Sequence, residues 1–251
     1  MLWINGKQDP NDSFIVDDGF WFGKGVFETI RVHERPLFWE QHIRRLNAGL
    51  AALQIREPVD GKELLDSLQS LGISTCVVKI AVTAQNIIFQ TRPLPAEGSP
   101  EYTLLPVDNL RSRNPLLLSC KCLNYLDNLL ARDQAAANGY DDALFIEKDG
   151  TVSETSRANI FFFKDGQLRT PDLSSGLLSG IIRQWVLDHL PVETGIWTLN
   201  DLLTADAVLV TNSVIGIRPV TRIGGQICPV SSQALDLCHR YTFETTTSQI
   251  D

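Results

Sequence analysis

Residues 116–126 read LLLSCKCLNYL. A single lysine, Lys121, stands in a run that is otherwise apolar or weakly polar. A charged amine in a buried strand is costly, so it must reach water, find a partner or lower its pKa. On its own, Lys121 reads first as an edge-strand lysine that blocks strand-to-strand aggregation. The sharper reading is a Schiff-base lysine, because a desolvated amine is nucleophilic near neutral pH. Pyridoxal phosphate chemistry uses such an amine. It also asks for companions: a cation and backbone amides for the phosphate, and an acid for the ring nitrogen.

Companions occur in order along the chain. HIRRL places Arg45 on a helix, and SETSRANIF places Glu154 just after a hairpin strand. LLSGIIR puts Gly180 at a helix entrance, where N–H groups left over by the helix can hold a phosphate. TNSVIGIRPV brings Asn212 and Ser213 to the end of a strand. Each fragment alone also has a plain structural reading. Arg45 serves as a solvated helix charge, Glu154 as a turn acid, and Ser213 as a loop cap.

The elements that must position these residues are legible from periodicity. FETIRVHERPLFW reads as two strands joined by a short polar turn. EQHIRRLNAGLAALQI has Ile43, Leu46, Leu50 and Leu53 at helical spacing. A second helix covers 61–71. CVVKIAVTA and EYTLLPV are β-branched strands, and QTRPLPAEGSP between them is a polar, Pro-rich connection. YLDNLLARDQAAANG is a helix with Gly139 as its C-cap. DDALFIEKDGTVSE and NIFFFKDGQLRTP each carry Lys-Asp-Gly between strands, a hairpin signal. Further helices fall at 180–190 and 231–243, and DAVLVTNSV is a buried strand. These elements predict an α+β fold with two lobes. A smaller N-terminal α/β lobe spans 1–107, a connector 108–117, and a larger C-terminal lobe 118–251.

Composition narrows the function class. The chain has 251 residues, 43% of them hydrophobic, enough for two modest cores. Its formal net charge of −8 argues against nucleic acid as a partner. No apolar run is long enough to span a bilayer, and the start MLWINGKQDPND lacks signal-peptide layout. The five cysteines form no CxxC and are odd in number, so a reduced, cytoplasmic setting is expected. No metal-ligand set is expected either.

Taken together, KCLNYLDNLLARDQAAANGYDDALFIEKDGTVSETSRANIFFFKDG and FGKGVFETIRV resemble the class IV aminotransferase family, the fold-type IV pyridoxal phosphate enzymes. The resemblance runs from NGK near the start to IRPV near the end. It implies that fold, with a mixed sheet or barrel in the larger lobe. It implies that Lys121 bonds the cofactor's aldehyde and shuttles the proton, while Glu154 pairs with the pyridine nitrogen. Arg45 would bind the phosphate with the backbone N–H groups of Ile181 and Ile182 and the Ser213 hydroxyl, Asn212 assisting. Leu178 would pack on the ring face. Tyr125 either reaches the cofactor's phenolic oxygen or is a helix residue with a wet hydroxyl. A homodimer acting on a small anionic substrate is implied as well.

Within the family, the short chain, the Arg-Asn-Pro ahead of the lysine, and the TNS loop resemble the lyase that releases pyruvate and 4-aminobenzoate from 4-amino-4-deoxychorismate for folate synthesis. The alternative is an amino-acid aminotransferase of the D-amino acid or branched-chain type. Gln85 stands where the lyase and D-amino acid members usually carry a carboxylate-binding arginine. Lys24, Arg31, Arg92 and Arg218 are the candidate substitutes.

Overall fold

The computed structural model describes residues 2–8, 14–70, 72, 75–95, 102–109, 111 and 114–247. They group into two units. One comprises the described residues up to 95 together with 114–125, and the other those of 96–113 together with 126–247.

The first unit contains β1 (Leu2–Ile4), α1 (Asp18–Phe22), β2 (Val26–His33), β3 (Arg35–Pro36), α2 (Trp39–Ala52), α3 (Gly61–Ser70), β4 (Thr75–Val82), β5 (Ile87–Arg92) and α4 (Pro115–Ser119). The strands form one antiparallel sheet in the order β1-β5-β4-β2-β3. The period-two pattern buries Ile30 and Val32 of β2 and Val78 and Ile80 of β4 in one core. Ile43, Leu46 and Leu50 from one face of α2 join them there. Each such side chain contributes about 1.5–3 kcal/mol of burial.

The polar connection expected at 90–100 begins later than its composition suggests. Gln90, Thr91 and Arg92 complete β5, pairing with Lys79, Val78 and Val77. Gln90 and Arg92 are exposed there, so their polarity is compatible with a strand. Residues 96–100 of that stretch lie outside the described residues.

The lysine segment is strapped to this first unit. Phe27 N donates to Lys121 O at 2.8 Å, and Leu123 N donates to Gly25 O at 2.9 Å. Val26 and Cys122 form a bridge between them. A glycine is required at 25, since a Cβ there would lie 2.9 Å from the backbone oxygen of Val82. Asn114 caps α4 through Leu116 N, with Pro115 in the first turn, which sets the chain's direction into the strap. The grouping therefore divides the chain differently from the 107/118 boundaries expected from sequence. Backbone pairing with β2 draws 114–125 into the first unit, and parallel strand pairing draws 102–109 into the second.

The second unit contains β6 (Thr103–Asp108), α5 (Leu126–Ala137), β7 (Asp142–Ile146), β8 (Val152–Thr155), β9 (Asn159–Lys164), β10 (Gln167–Pro171), α6 (Ile181–His189), β11 (Val192–Gly195), α7 (Leu199–Leu203), β12 (Ala207–Asn212), β13 (Gly216–Val220), β14 (Arg222–Ile223), β15 (Gln226–Ile227) and α8 (Ser232–Thr247). One sheet runs β11-β10-β9-β12-β13 and the other β15-β14-β6-β7-β8. Both Lys-Asp-Gly stretches join antiparallel strands, β7 to β8 and β9 to β10. Of the mixed sheet or barrel implied by the resemblance, the mixed sheet is observed, with parallel and antiparallel pairs. Both sheets are open, and no barrel closes among the described residues, because β8, β11, β13 and β15 end as edges. Ile160 and Phe162 of β9, Val208 and Val210 of β12, and Leu104 and Leu144 fill the main core of this unit.

Candidate active site

In the first unit, Lys121 is half-buried, with its Nζ 4.5 Å from the centre of the Phe27 ring and 5.4 Å from that of Tyr125. The two rings meet edge to face at 5.3 Å, which fixes the Tyr125 ring beside the amine. Lys79 Nζ reaches the same Phe27 ring at 4.4 Å. Burial, and then Arg92, hold the Lys79 amine below its ordinary pKa.

Arg45 is held by a residue that sequence reading missed. Glu28 of β2 is fully buried and accepts Arg45 Nε at 2.8 Å and Nη2 at 2.7 Å. His42, one helical turn before Arg45, is also fully buried, with Nδ1 2.6 Å from the same carboxylate. Burial is the strongest influence and opposes the charge on Glu28, but Arg45 and His42 together outweigh it and hold the carboxyl far below its usual range. Burial lowers the His42 pKa against the upward pull of Glu28, and the positive Arg45 and Lys121 add to the lowering. The ring is therefore neutral, its Nδ1–H donating to Glu28, and its Nε2 has no partner among the described residues. The available signals were a carboxylate inside the apolar alternation of FETIRV and a histidine three residues before the arginine.

Gln85 and Lys24 line one cleft of the first unit, of about 360 Å³, with Ile15, Val16, Asp17, Asp18, Ile55 and Ala84. Asp17 is committed within it. It accepts Gly19 N, Gln85 N and the Thr83 hydroxyl. Of the candidate substitutes for the missing arginine, Lys24 is the one that shares this cleft with Gln85.

In the second unit, Glu154 lies on β8 and is 7% exposed. Its Oε1 accepts Arg111 Nη1 at 2.6 Å, and its Oε2 accepts Leu178 N at 3.2 Å and Asn159 Nδ2 at 3.3 Å. Asn159 also donates to Leu178 O at 2.9 Å, so the segment carrying Leu178 is tied to the acid by two routes. Two residues on, Gly180 begins α6 with no side-chain cap. Ile181 and Ile182 are buried in the first turn of α6. A Cβ at Gly180 would collide with Asn159 Oδ1, so glycine is required by space.

Asn212 ends β12. Its Oδ1 accepts Val214 N at 2.9 Å and Ile215 N at 3.0 Å, and its Nδ2 donates to Arg157 O at 3.2 Å. The carboxamide thus shapes the turn that presents Ser213. Arg113 of the Arg-Asn-Pro motif lies outside the described residues. Arg111 carried no periodic or motif signal and was missed.

These groups fit pyridoxal phosphate by their chemistry. The first unit offers a primary amine against two aromatic rings and a fixed guanidinium. The second offers a buried carboxylate and an uncapped helix start, whose amides and dipole favour an anion.

The chain belongs to the class IV aminotransferase family of pyridoxal phosphate enzymes: the amino-transferase class IV model matches residues 25–223. It is 30% identical to the aminodeoxychorismate lyase of Bacillus subtilis (strain 168), over 89% of this chain and 86% of that one. It is also 30% identical to the D-alanine aminotransferase of Listeria monocytogenes serotype 1/2a (strain 10403S), over 84% of this chain and 82% of that one. The crystal structure of 4-amino-4-deoxychorismate lyase from Pseudomonas aeruginosa superposes with a TM-score of 0.84, at 25% identity and over 100% of both chains. The α+β fold expected from sequence is thus the fold of this family. Among the described residues no helix is long and apolar enough to cross a membrane, and all five cysteines are free.

Proposed function

We propose that this chain is a 4-amino-4-deoxychorismate lyase, releasing pyruvate and 4-aminobenzoate. The observation that carries the reading is its likeness, over most of its length, to two lyases of that name, the Bacillus subtilis protein in sequence and the Pseudomonas aeruginosa protein in structure.

Bound pyridoxal phosphate supplies an aldehyde that bonds an amine and a pyridinium ring that draws off electrons. The Lys121 amine moves the proton. It accepts one from the substrate's ring carbon and hands one to the departing enolpyruvate, and the ring is left aromatic. Aromatisation drives the step, so the protein has mainly to position acid and base. Glu154 holds the proton of the pyridine nitrogen through its carboxylate. Arg45, the Ile181 and Ile182 amides and the Ser213 hydroxyl bind the phosphate, with Asn212 shaping the Ser213 turn. Leu178 packs on the ring, and the Tyr125 hydroxyl serves the phenolic oxygen. Lys24 takes the substrate carboxylate in place of an arginine at 85.

Purified protein given 4-amino-4-deoxychorismate should yield 4-aminobenzoate and pyruvate in equal amounts with no amino acceptor added. The second reading, an amino-acid aminotransferase, is favoured by the 30% identity to a D-alanine aminotransferase. Absence of both products, with rapid amino transfer from a D- or L-amino acid to 2-oxoglutarate, would decide for it.

The proposal includes a homodimer. Its support is a run of exposed apolar side chains in the first unit, Ile15, Val16, Phe20, Trp21 and Phe22. Light scattering that returns a mass of one chain would remove it. A cytoplasmic setting and folate synthesis belong to the same proposal.

A further inference from the structure

Arg111 is 9% exposed, and nearly every donor it carries is spent inside the second unit. Nη1 donates to Glu154 Oε1 at 2.6 Å. Nη2 donates to Ser153 Oγ at 3.1 Å and Gly176 O at 3.2 Å, and Nε to Asn109 Oδ1 at 3.1 Å. The guanidinium also lies 4.1 Å from the centre of the Phe145 ring. Five contacts from four segments thus fix one cation against one carboxylate. Arg183 is a second buried cation that attracts Glu154, but its Nη2 is given to Pro171 O, so between these two it is Arg111 that touches the carboxylate.

A buried carboxylate without a cation would become protonated, because burial disfavours its charge. Resting on the cofactor reading above, we propose that Arg111 is a positioning residue that keeps Glu154 ionised, so that the proton shared between carboxylate and pyridine stays on the ring nitrogen. Removing the cation makes Glu154 the stronger base, and the proton moves from nitrogen to oxygen. The ring then loses its positive charge while every group that touches it is still present.

The test is the nitrogen-15 shift of pyridoxal phosphate, labelled at the ring nitrogen and bound to the holoenzyme. Wild type should give the protonated shift across neutral pH. Arg111→Gln, which keeps hydrogen-bonding capacity without charge, should move the signal most of the way to the unprotonated reference. Arg111→Lys should retain the protonated shift, which separates charge from packing. Glu154→Gln is the control and should resemble Arg111→Gln. A protonated signal in Arg111→Gln would overturn the proposal. If that variant does not fold, loss of the protonated signal in Arg111→Lys would overturn it equally. Wild-type protein that binds no labelled cofactor would instead overturn the cofactor reading itself.

Discussion

Arg45 and Glu28 form a two-pronged ion pair, with Nε on Oε1 and Nη2 on Oε2, although Glu28 is fully buried and Arg45 is 16% exposed. Two parallel bonds fix the guanidinium plane, which a single contact does not. Glu28→Gln keeps the shape but loses the charge and one acceptor. Arg45 can regain some water, so the expected loss of stability is about 1–3 kcal/mol. Cofactor affinity should fall as well, because the guanidinium would no longer be held in one plane. Urea unfolding and equilibrium dialysis of pyridoxal phosphate check the two effects. Unchanged affinity would show that the pair serves the core alone.

The buried His42 beside this carboxylate makes the first unit acid-labile. His42 is held neutral by burial, with Arg45 and Lys121 opposing its charge, whereas an unfolded histidine takes a proton below about 6.5. The unfolded state therefore binds more protons, and stability is lost as pH falls below that value, by up to about 1.4 kcal/mol per pH unit for one proton. Glu28, with its lowered pKa, adds a second loss once pH drops below 4.5. Hydrogen exchange of the β2 amides at pH 7.5 and 5.5 should show reduced protection at the lower pH. His42→Gln should flatten that difference.

Much of this was written in the sequence. Lys121 stood out as one charge in an apolar run; Glu154, expected just after a hairpin strand, lies on that hairpin's second strand, β8. What was not legible depends on contacts between distant segments. Glu28 looks like an ordinary strand residue until α2 brings Arg45 and His42 onto it. Arg111 sits in irregular chain, with no period to expose it, and gains meaning only through Glu154, 43 positions away. Gln90–Arg92 read as a loop because composition does not report the pairing partners that make it a strand. Of the mixed sheet or barrel implied for the larger lobe, the mixed sheet is what forms; the choice between them depends on sheet edges, which no local pattern encodes.

Lys121→Ala should abolish the visible absorbance of the protein incubated with pyridoxal phosphate. The strap should survive, because Phe27 N and Leu123 N hold it through backbone bonds. An unchanged circular dichroism spectrum would confirm that the loss is chemical. Lys121→Arg should fail equally, since a guanidinium stays protonated and cannot attack an aldehyde. Yellow colour in either variant that survives dialysis, and that borohydride bleaches while fixing the cofactor covalently to the protein, would rule Lys121 out.

Gly180→Ala tests the start of α6 by steric means alone. The glycine has φ −71°, which alanine adopts freely, so backbone strain plays no part. The obstacle is Asn159 Oδ1, which lies where the new methyl must go. That amide cannot turn away cheaply, because its Nδ2 is bound to Leu178 O and Glu154 Oε2. The expected cost is about 1–3 kcal/mol, from overpacking and displaced hydrogen bonds. Asn159→Ala alone should also destabilise, since Leu178 O loses its donor. The double variant should cost less than the sum of the two, because the second change removes the obstacle to the first. A double-mutant cycle by urea unfolding measures this coupling directly. Strict additivity would mean that Gly180 and Asn159 do not compete for the same space.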